Sequence, residues 1–227
     1  IGYLVQQAKS NFRTESWTAP QTITILKLAT DQHKRLVRNA DQLLDLVLEG
    51  LQEIQRKYRG SAAMKTSVWN RQPDGSYRPY EEETFSTAIA EWLRDYSSQV
   101  TINREPWVTQ KPQSKERTDI QVECISDTGQ PLMVIIEVKG CWYDDIIERM
   151  QTQLVDQYIA NHNRCRHGIY LVGYFASDSW DKRDSRRKST CSGRSENTLI
   201  QNLQARALTL MARKPITVKP FVFDASL

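Results

Sequence analysis

The chain has 227 residues, 39% hydrophobic and 26% charged, which excludes a disordered segment and supplies material for one sizeable core. Lys and Arg exceed Asp and Glu by only 4, a mild basic surplus that permits a nucleic-acid partner without demanding one. No stretch approaches the about 18 apolar residues of a membrane span, and charges interrupt the region where a signal peptide has its apolar run, so the expectation is a cytoplasmic protein with no membrane partner.

Ile1 stands where an initiator Met belongs, so the residues are read as a piece of a longer polypeptide with further domains upstream. A weak helical pattern runs through Ile25, Leu28, Leu36 and Val37. Leu43, Leu44, Val47, Leu48, Leu51 and Ile54 then recur at three- and four-residue steps, which predicts an amphipathic helix over 41–58 ended by Gly60. Residues 1–69 are therefore expected to form a helical hairpin or the tail of an upstream helical domain. Pro73, Asp74-Gly75 and Pro79 mark 70–79 as a boundary loop, with the second domain spanning 70–227.

Over 81–96 the residues Phe85, Ile89, Trp92, Leu93 and Tyr96 share one helical face, and Glu81, Glu82 and Glu83 occupy the first turn, where the helix dipole favours acids. Glu82 falls on the inward face. Strands are expected at 100–109, 117–124 and 132–139, a helix over 143–161, a strand over 168–175, a helix near 198–213 and a strand over 218–223. The order is helix, three strands, helix, strand, helix, strand, an α/β pattern with no internal repeat.

Between the second and third strands, the segment from Ser126 to Gln130 contains a three-residue loop ending in Gly129, a favoured antiparallel hairpin connection. If Ser126 pairs with Gln130, counting back sets Asp119 opposite Glu137, with side chains on one face and Cβ atoms about 5 Å apart. Strand alternation turns Lys139 to that face and Val138 to the other. Adjacent carboxylates repel unless a divalent cation reverses the sign of the interaction, and hard oxygen donors suit Mg²⁺ or Mn²⁺. Two acids, a lysine and such a cation are the parts needed to hydrolyse a phosphodiester bond without a covalent intermediate. The chain has no Gly-rich phosphate loop and no Gly-x-Ser-x-Gly elbow, and only three histidines.

Asp119 followed by Glu137-Val138-Lys139, with an acidic helix before and an amphipathic helix after, resembles the PD-(D/E)XK superfamily of restriction-endonuclease-like nucleases. The resemblance covers element order over roughly 80–225. It implies an αβββαβ core with a mixed central sheet, a divalent metal held by Asp119, Glu137 and the carbonyl of Val138, a catalytic Lys139, and an orienting acid for which Glu82 is the best match. A helix-capping role is the alternative for Glu82. The family pattern Gln-x-x-x-Tyr is approached by Gln153 and Tyr158, one residue too far apart. Thr118 stands where the family name has Pro. The stretches from Arg117 to Ile120 and from Val134 to Trp142 also resemble nuclease modules fused to large bacterial defence proteins, which implies an antiviral effector gated by its other domains.

Between Ser177 and Arg194 lie six basic and three acidic residues around Trp180, and Trp180, Lys182, Arg183, Arg186 and Arg187, together with Gln153, are the candidate nucleic-acid contacts. A solvated loop is the plainer reading of that run. Cys124, Cys141, Cys165 and Cys191 show no Cys-x-x-Cys spacing, and His162, Cys165 and His167 lack a fourth ligand at zinc spacing. The leading expectation is an Mg²⁺-dependent DNA endonuclease, DNA being favoured over RNA, with two-strand cutting favouring a homodimer. The second is an inactive nuclease-like fold that binds nucleic acid or protein; the complete Asp, Glu and Lys set argues against it.

Overall fold

A computed structural model describes residues 37–97, 100–104, 119–126, 129–162, 164–188 and 193–227, all within one compact unit, Leu36–Leu227. The helical pattern through Ile25, Leu28 and Leu36, and the sites Arg117, Thr118 and Cys191, lie outside the described residues. Among the described residues no helix is long and apolar enough to cross a membrane.

Helix α1 (Ala40–Gly60) begins where the Asn39 side chain accepts the Gln42 N–H, satisfying one of the first-turn donors. Its inward stripe of Leu43, Leu44, Val47, Leu51, Ile54 and Tyr58 is buried. Ser61 caps the short α2 (Ala62–Val68). Strands β1 (Trp69–Arg71) and β2 (Tyr77–Pro79) follow as a small antiparallel hairpin, with Gly75 taking φ +83° in its turn. Then come α3 (Glu82–Tyr96), β3 (Thr101–Arg104), β4 (Ile120–Ile125) and β5 (Pro131–Gly140). Helix α4 (Ile146–Arg149) runs into a π-helix (Met150–Ile159) and leads to β6 (His167–Tyr174). The chain finishes with α5 (Ser185–Lys188), α6 (Glu196–Arg213) and β7 (Thr217–Asp224).

The main sheet is mixed, in the order β3-β4-β5-β6-β7, antiparallel through β5 and parallel from β5 to β7. This matches the α/β class and mixed sheet expected. One face carries α1 and α3: Phe223 of β7 packs its ring 5.2 Å from Tyr58 and 5.8 Å from Phe85. The other carries α4 and its π-helical continuation, where the Tyr170 hydroxyl donates to the Ile146 carbonyl at 2.8 Å, and α6, whose Arg206 donates to Gln151 at 2.6 Å.

The expected domain boundary at residue 70 falls inside this unit. An amphipathic helix buries its stripe on whatever apolar surface is available, and α1 finds one face of the sheet. Trp69 and Tyr58 both donate to the Ala225 carbonyl, at 2.7 and 3.0 Å, which ties the two ends of the unit together. Residues 70–79 are accordingly a hairpin within the fold rather than a linker. Only 101–104 of the strand expected at 100–109 is described as strand, 105–109 lying outside the described residues.

Candidate active site

The β4–β5 hairpin has the register expected from its loop. Ser126 N–H donates to Gln130 O at 2.9 Å, Gly129 takes φ +79°, and Ile120 pairs with Ile136. One step beyond the ladder brings Asp119 beside Glu137. Within β5 the side chains of Val134, Ile135, Ile136 and Val138 are buried apolar residues, so Glu137 and Lys139 are the charges of an otherwise apolar central strand, 1% and 5% exposed. Burying such charges is costly unless each finds a partner.

The partners are mutual. Lys139 Nζ lies 2.6 Å from Glu137 Oε1, 2.8 Å from Glu82 Oε1 and 3.8 Å from Asp119 Oδ2. It also donates to the Val138 carbonyl at 3.1 Å. Asp119 Oδ2 accepts the Val138 N–H at 2.8 Å, and Glu82 Oε2 accepts the Gly140 N–H at 3.1 Å. Thus α3, the end of β4 and the end of β5 deliver Glu82, Asp119, Glu137 and Lys139 to one point. Glu82 reaches it from the first turn of α3, a position that a dipole-stabilising acid would share, but its two bonds go to the strand rather than to its own helix.

Burial pushes the Glu137 carboxyl well above its ordinary value, Asp119 adds to the rise, and Lys139 opposes it. Burial likewise raises Glu82, against the pull of Lys139. For Lys139 burial alone favours the neutral amine, but Glu137, Asp119 and Glu82 together outweigh it and hold the ammonium charged. Three carboxylates facing one ammonium carry formal excess negative charge, and among the described residues Glu137 Oε2 is buried with no hydrogen-bond partner.

That orphaned oxygen tests the fit of a metal. Among the described residues no group of three or more His, Cys, Asp or Glu is arranged as a metal cage, because the three acids converge on Lys139 instead. Mg²⁺, however, is commonly held by one or two carboxylates and keeps several waters or substrate oxygens. Asp119, Glu137 and the Val138 carbonyl fit that kind of site, with the unpartnered Glu137 oxygen as its inner donor.

The loop expected to clamp nucleic acid is built differently. Trp180 is 2% exposed, packed edge-on against Trp69 at 5.5 Å, and its Nε1 donates to Asp184 at 3.0 Å. So little of its surface is exposed that Trp180 is a core residue rather than a stacking platform. The reason is a bridge to the hairpin: Tyr77 N–H donates to Ser179 O and Asp181 N–H to Tyr77 O, both at 2.8 Å, which draws the segment inward. Arg186 is folded against Asp184 and the backbone before α3, and Arg187 donates to the Trp180 carbonyl. Lys182 and Arg183 are exposed, Arg183 pairing with Asp181 and Asp74.

Gln153 sits in the π-helix, partly buried, with its Oε1 unpartnered. Gln153 and Tyr158 stand five positions apart, which is the hydrogen-bond step of the π-helix that carries them. Cys165 is buried with its Sγ against the Met133 and His167 carbonyls, and His167 Nε2 turns to Asp41 at 3.0 Å, an arrangement unlike a zinc centre.

A concavity of about 780 Å³ is lined by Tyr77, the 175–180 segment, Arg187 and Leu227 rather than by the acids. It opens at the same end of the sheet, since Phe175 follows β6 where Cys141 follows β5 and Cys141 N–H donates to Gly173 O at 3.0 Å. Two partners were not anticipated: the Gly140 amide, and the Asp184–Arg186 pair below. A backbone donor leaves no trace in residue identity, and Asp184 is hidden in a run of alternating charge. No family model, curated protein or solved structure matches this chain.

Proposed function

We propose that Asp119, Glu137 and Lys139, with Glu82, form the active site of a metal-dependent nuclease on a restriction-endonuclease-like core. The observation that carries this reading is the buried Glu137 Oε2, unpartnered among the described residues, inside a cluster where three carboxylates face one ammonium. A structural ion pair has no use for that surplus, whereas a divalent cation and a phosphodiester both need it or its lysine.

Asp119, Glu137 and the Val138 carbonyl are the groups that hold the cation, Mg²⁺ or Mn²⁺. When bound, it supplies Lewis-acid polarisation of the scissile phosphate and neutralises charge developing there. Lys139 Nζ, kept charged by its carboxylates, donates to the phosphate or to the attacking water and fixes its line of approach. Glu82 holds Lys139 in place from the far side. Of the loop cations, the exposed Lys182 and Arg183 are assigned to substrate phosphates, with Gln153 as a further contact; Trp180, Arg186 and Arg187 are not.

We take the substrate to be DNA, cut internally, and the chain to be one module of a larger bacterial defence protein, cutting both strands as a homodimer; these parts rest on the family resemblance. The test is supercoiled plasmid with Mg²⁺ or Mn²⁺. Nicking or linearisation by the wild type, lost with EDTA and in Asp119→Ala, and lowered by about 10²–10³-fold in Lys139→Ala, is the expected result. One observation favours a second reading, an inactive nuclease-like interaction domain: the acids meet on Lys139 rather than around an open centre. Calorimetry with Mn²⁺ separates the two, since absence of binding rules out the enzyme.

A further inference from the structure

Glu82 is aimed at Lys139 and Gly140 with little help from its own helix, for Glu81 at the N-cap of α3 makes no side-chain capping bond. The anchor comes from a segment about a hundred residues later. Arg186 Nη2 donates to the Pro79 carbonyl at 2.8 Å, and its Nη1 reaches the Tyr80 carbonyl at 3.4 Å and Glu81 Oε1 at 3.3 Å. Its guanidinium lies 5.1 Å from the Trp142 ring centroid. The three residues before Glu82 are thus gripped by one side chain.

Arg186 is in turn held from behind. Asp184, 7% exposed, takes Arg186 Nε at 3.1 Å and Nη2 at 2.9 Å and also accepts the Trp180 indole N–H. Trp180 is wedged against Trp69, which is bonded to the Ala225 carbonyl. A continuous line of contacts therefore runs from the core through Trp180, Asp184 and Arg186 to the start of α3. A planar fork with several donors suits this task, because one arm can hold the aspartate while the others hold backbone carbonyls.

We propose that Arg186 is a positioning residue that fixes the start of α3 and thereby aims Glu82 at the Lys139 ammonium and the Gly140 amide. Trp180, Asp184 and Arg186 are then a brace for the site rather than a clamp on the substrate. The importance of the brace to catalysis rests on the nuclease reading; its geometry does not.

The experiment is amide hydrogen exchange on the metal-free chain, resolved at Gly140 and at Cys141. The Gly140 N–H is protected by Glu82, and its neighbour Cys141 N–H by the Gly173 carbonyl, so Cys141 serves as an internal control. Arg186→Ala is expected to speed Gly140 exchange about tenfold with Cys141 unchanged. Glu82→Ala does the same, and the double variant exchanges no faster than Glu82→Ala alone. Arg186→Lys keeps the charge beside Asp184 but lacks the fork, and it also speeds Gly140; it decides the matter should Arg186→Ala not fold.

Gly140 exchange that rises in Glu82→Ala but not in either Arg186 variant overturns the proposal. So does acceleration of Gly140 and Cys141 together, which is general loosening. In the cleavage assay a positioning role lowers kcat and leaves KM and its salt dependence in place, whereas a rise in KM with a weaker salt dependence marks a phosphate contact and also overturns it. A wild type that cleaves nothing and binds no Mn²⁺ sinks the nuclease reading, while the exchange result still decides the brace.

Discussion

Removing the ammonium of Lys139 leaves Glu137, Glu82 and Asp119 facing one another without the cation they share. Breaking a buried ion pair from one side costs more than replacing both members, because the remaining charge has lost both water and partner. Lys139→Met is therefore expected to lower stability by about 3–5 kcal/mol near neutral pH, read from urea unfolding. The loss should shrink on acidification, as the abandoned carboxyls take up protons. An unaltered unfolding midpoint would show that the carboxylates have found solvent, contrary to the burial of Glu137.

At the level of elements, the hairpin that pairs β4 with β5 sets the spacing of the acids, and its turn depends on Gly129. The position has φ +79° and open space where a Cβ would go, so Gly129→Ala acts through backbone strain alone. The expected cost is about 1–2 kcal/mol in urea unfolding with no change in the dependence on denaturant. This hairpin was the most legible part of the chain: a Gly-ended loop between two apolar runs fixes a count, and the count alone brings Asp119 to Glu137. The helix bearing Glu82 was legible by period. Other elements were less open to reading. The steps from Ile147 through Met150 and Leu154 to Tyr158 are the same in an α-helix and a π-helix, so the wider hydrogen bonding of 150–159 has no distinct apolar signature. Trp180 looked exposed because its neighbours are polar; the groups that bury it, Trp69 and Asp184, include one far away in sequence and one disguised as surface charge. Where α1 docks was not legible for a related reason, since periodicity reveals that a helix has an apolar face but not which surface receives it.

For the molecule as a whole, the raised carboxyls of Glu137 and Glu82 tie stability to pH. Both start from 4.5 when unfolded and are higher when folded, so above that value the folded state keeps protons the unfolded chain has released. Their contribution is fully present below 4.5 and is lost as pH rises through the folded values. In calorimetry without metal, the Tm of wild type relative to Glu137→Gln is expected to fall as the pH is raised above 4.5. Added Mn²⁺, which selects the ionised carboxylate, should recover most of that difference at the higher pH. A gap that stays constant with pH would mean that Glu137 ionises in the folded chain as it does in the unfolded one. The mixed sheet carries a consequence for the order of assembly. Its antiparallel half closes through a short local turn, while β6 and β7 join in parallel only after long crossovers, and local contacts form first. Asp119 and Glu137 thus meet while still hydrated, and the cluster dries only when β6 docks, so the loss in Gly129→Ala should appear in stopped-flow mainly as slower folding rather than faster unfolding.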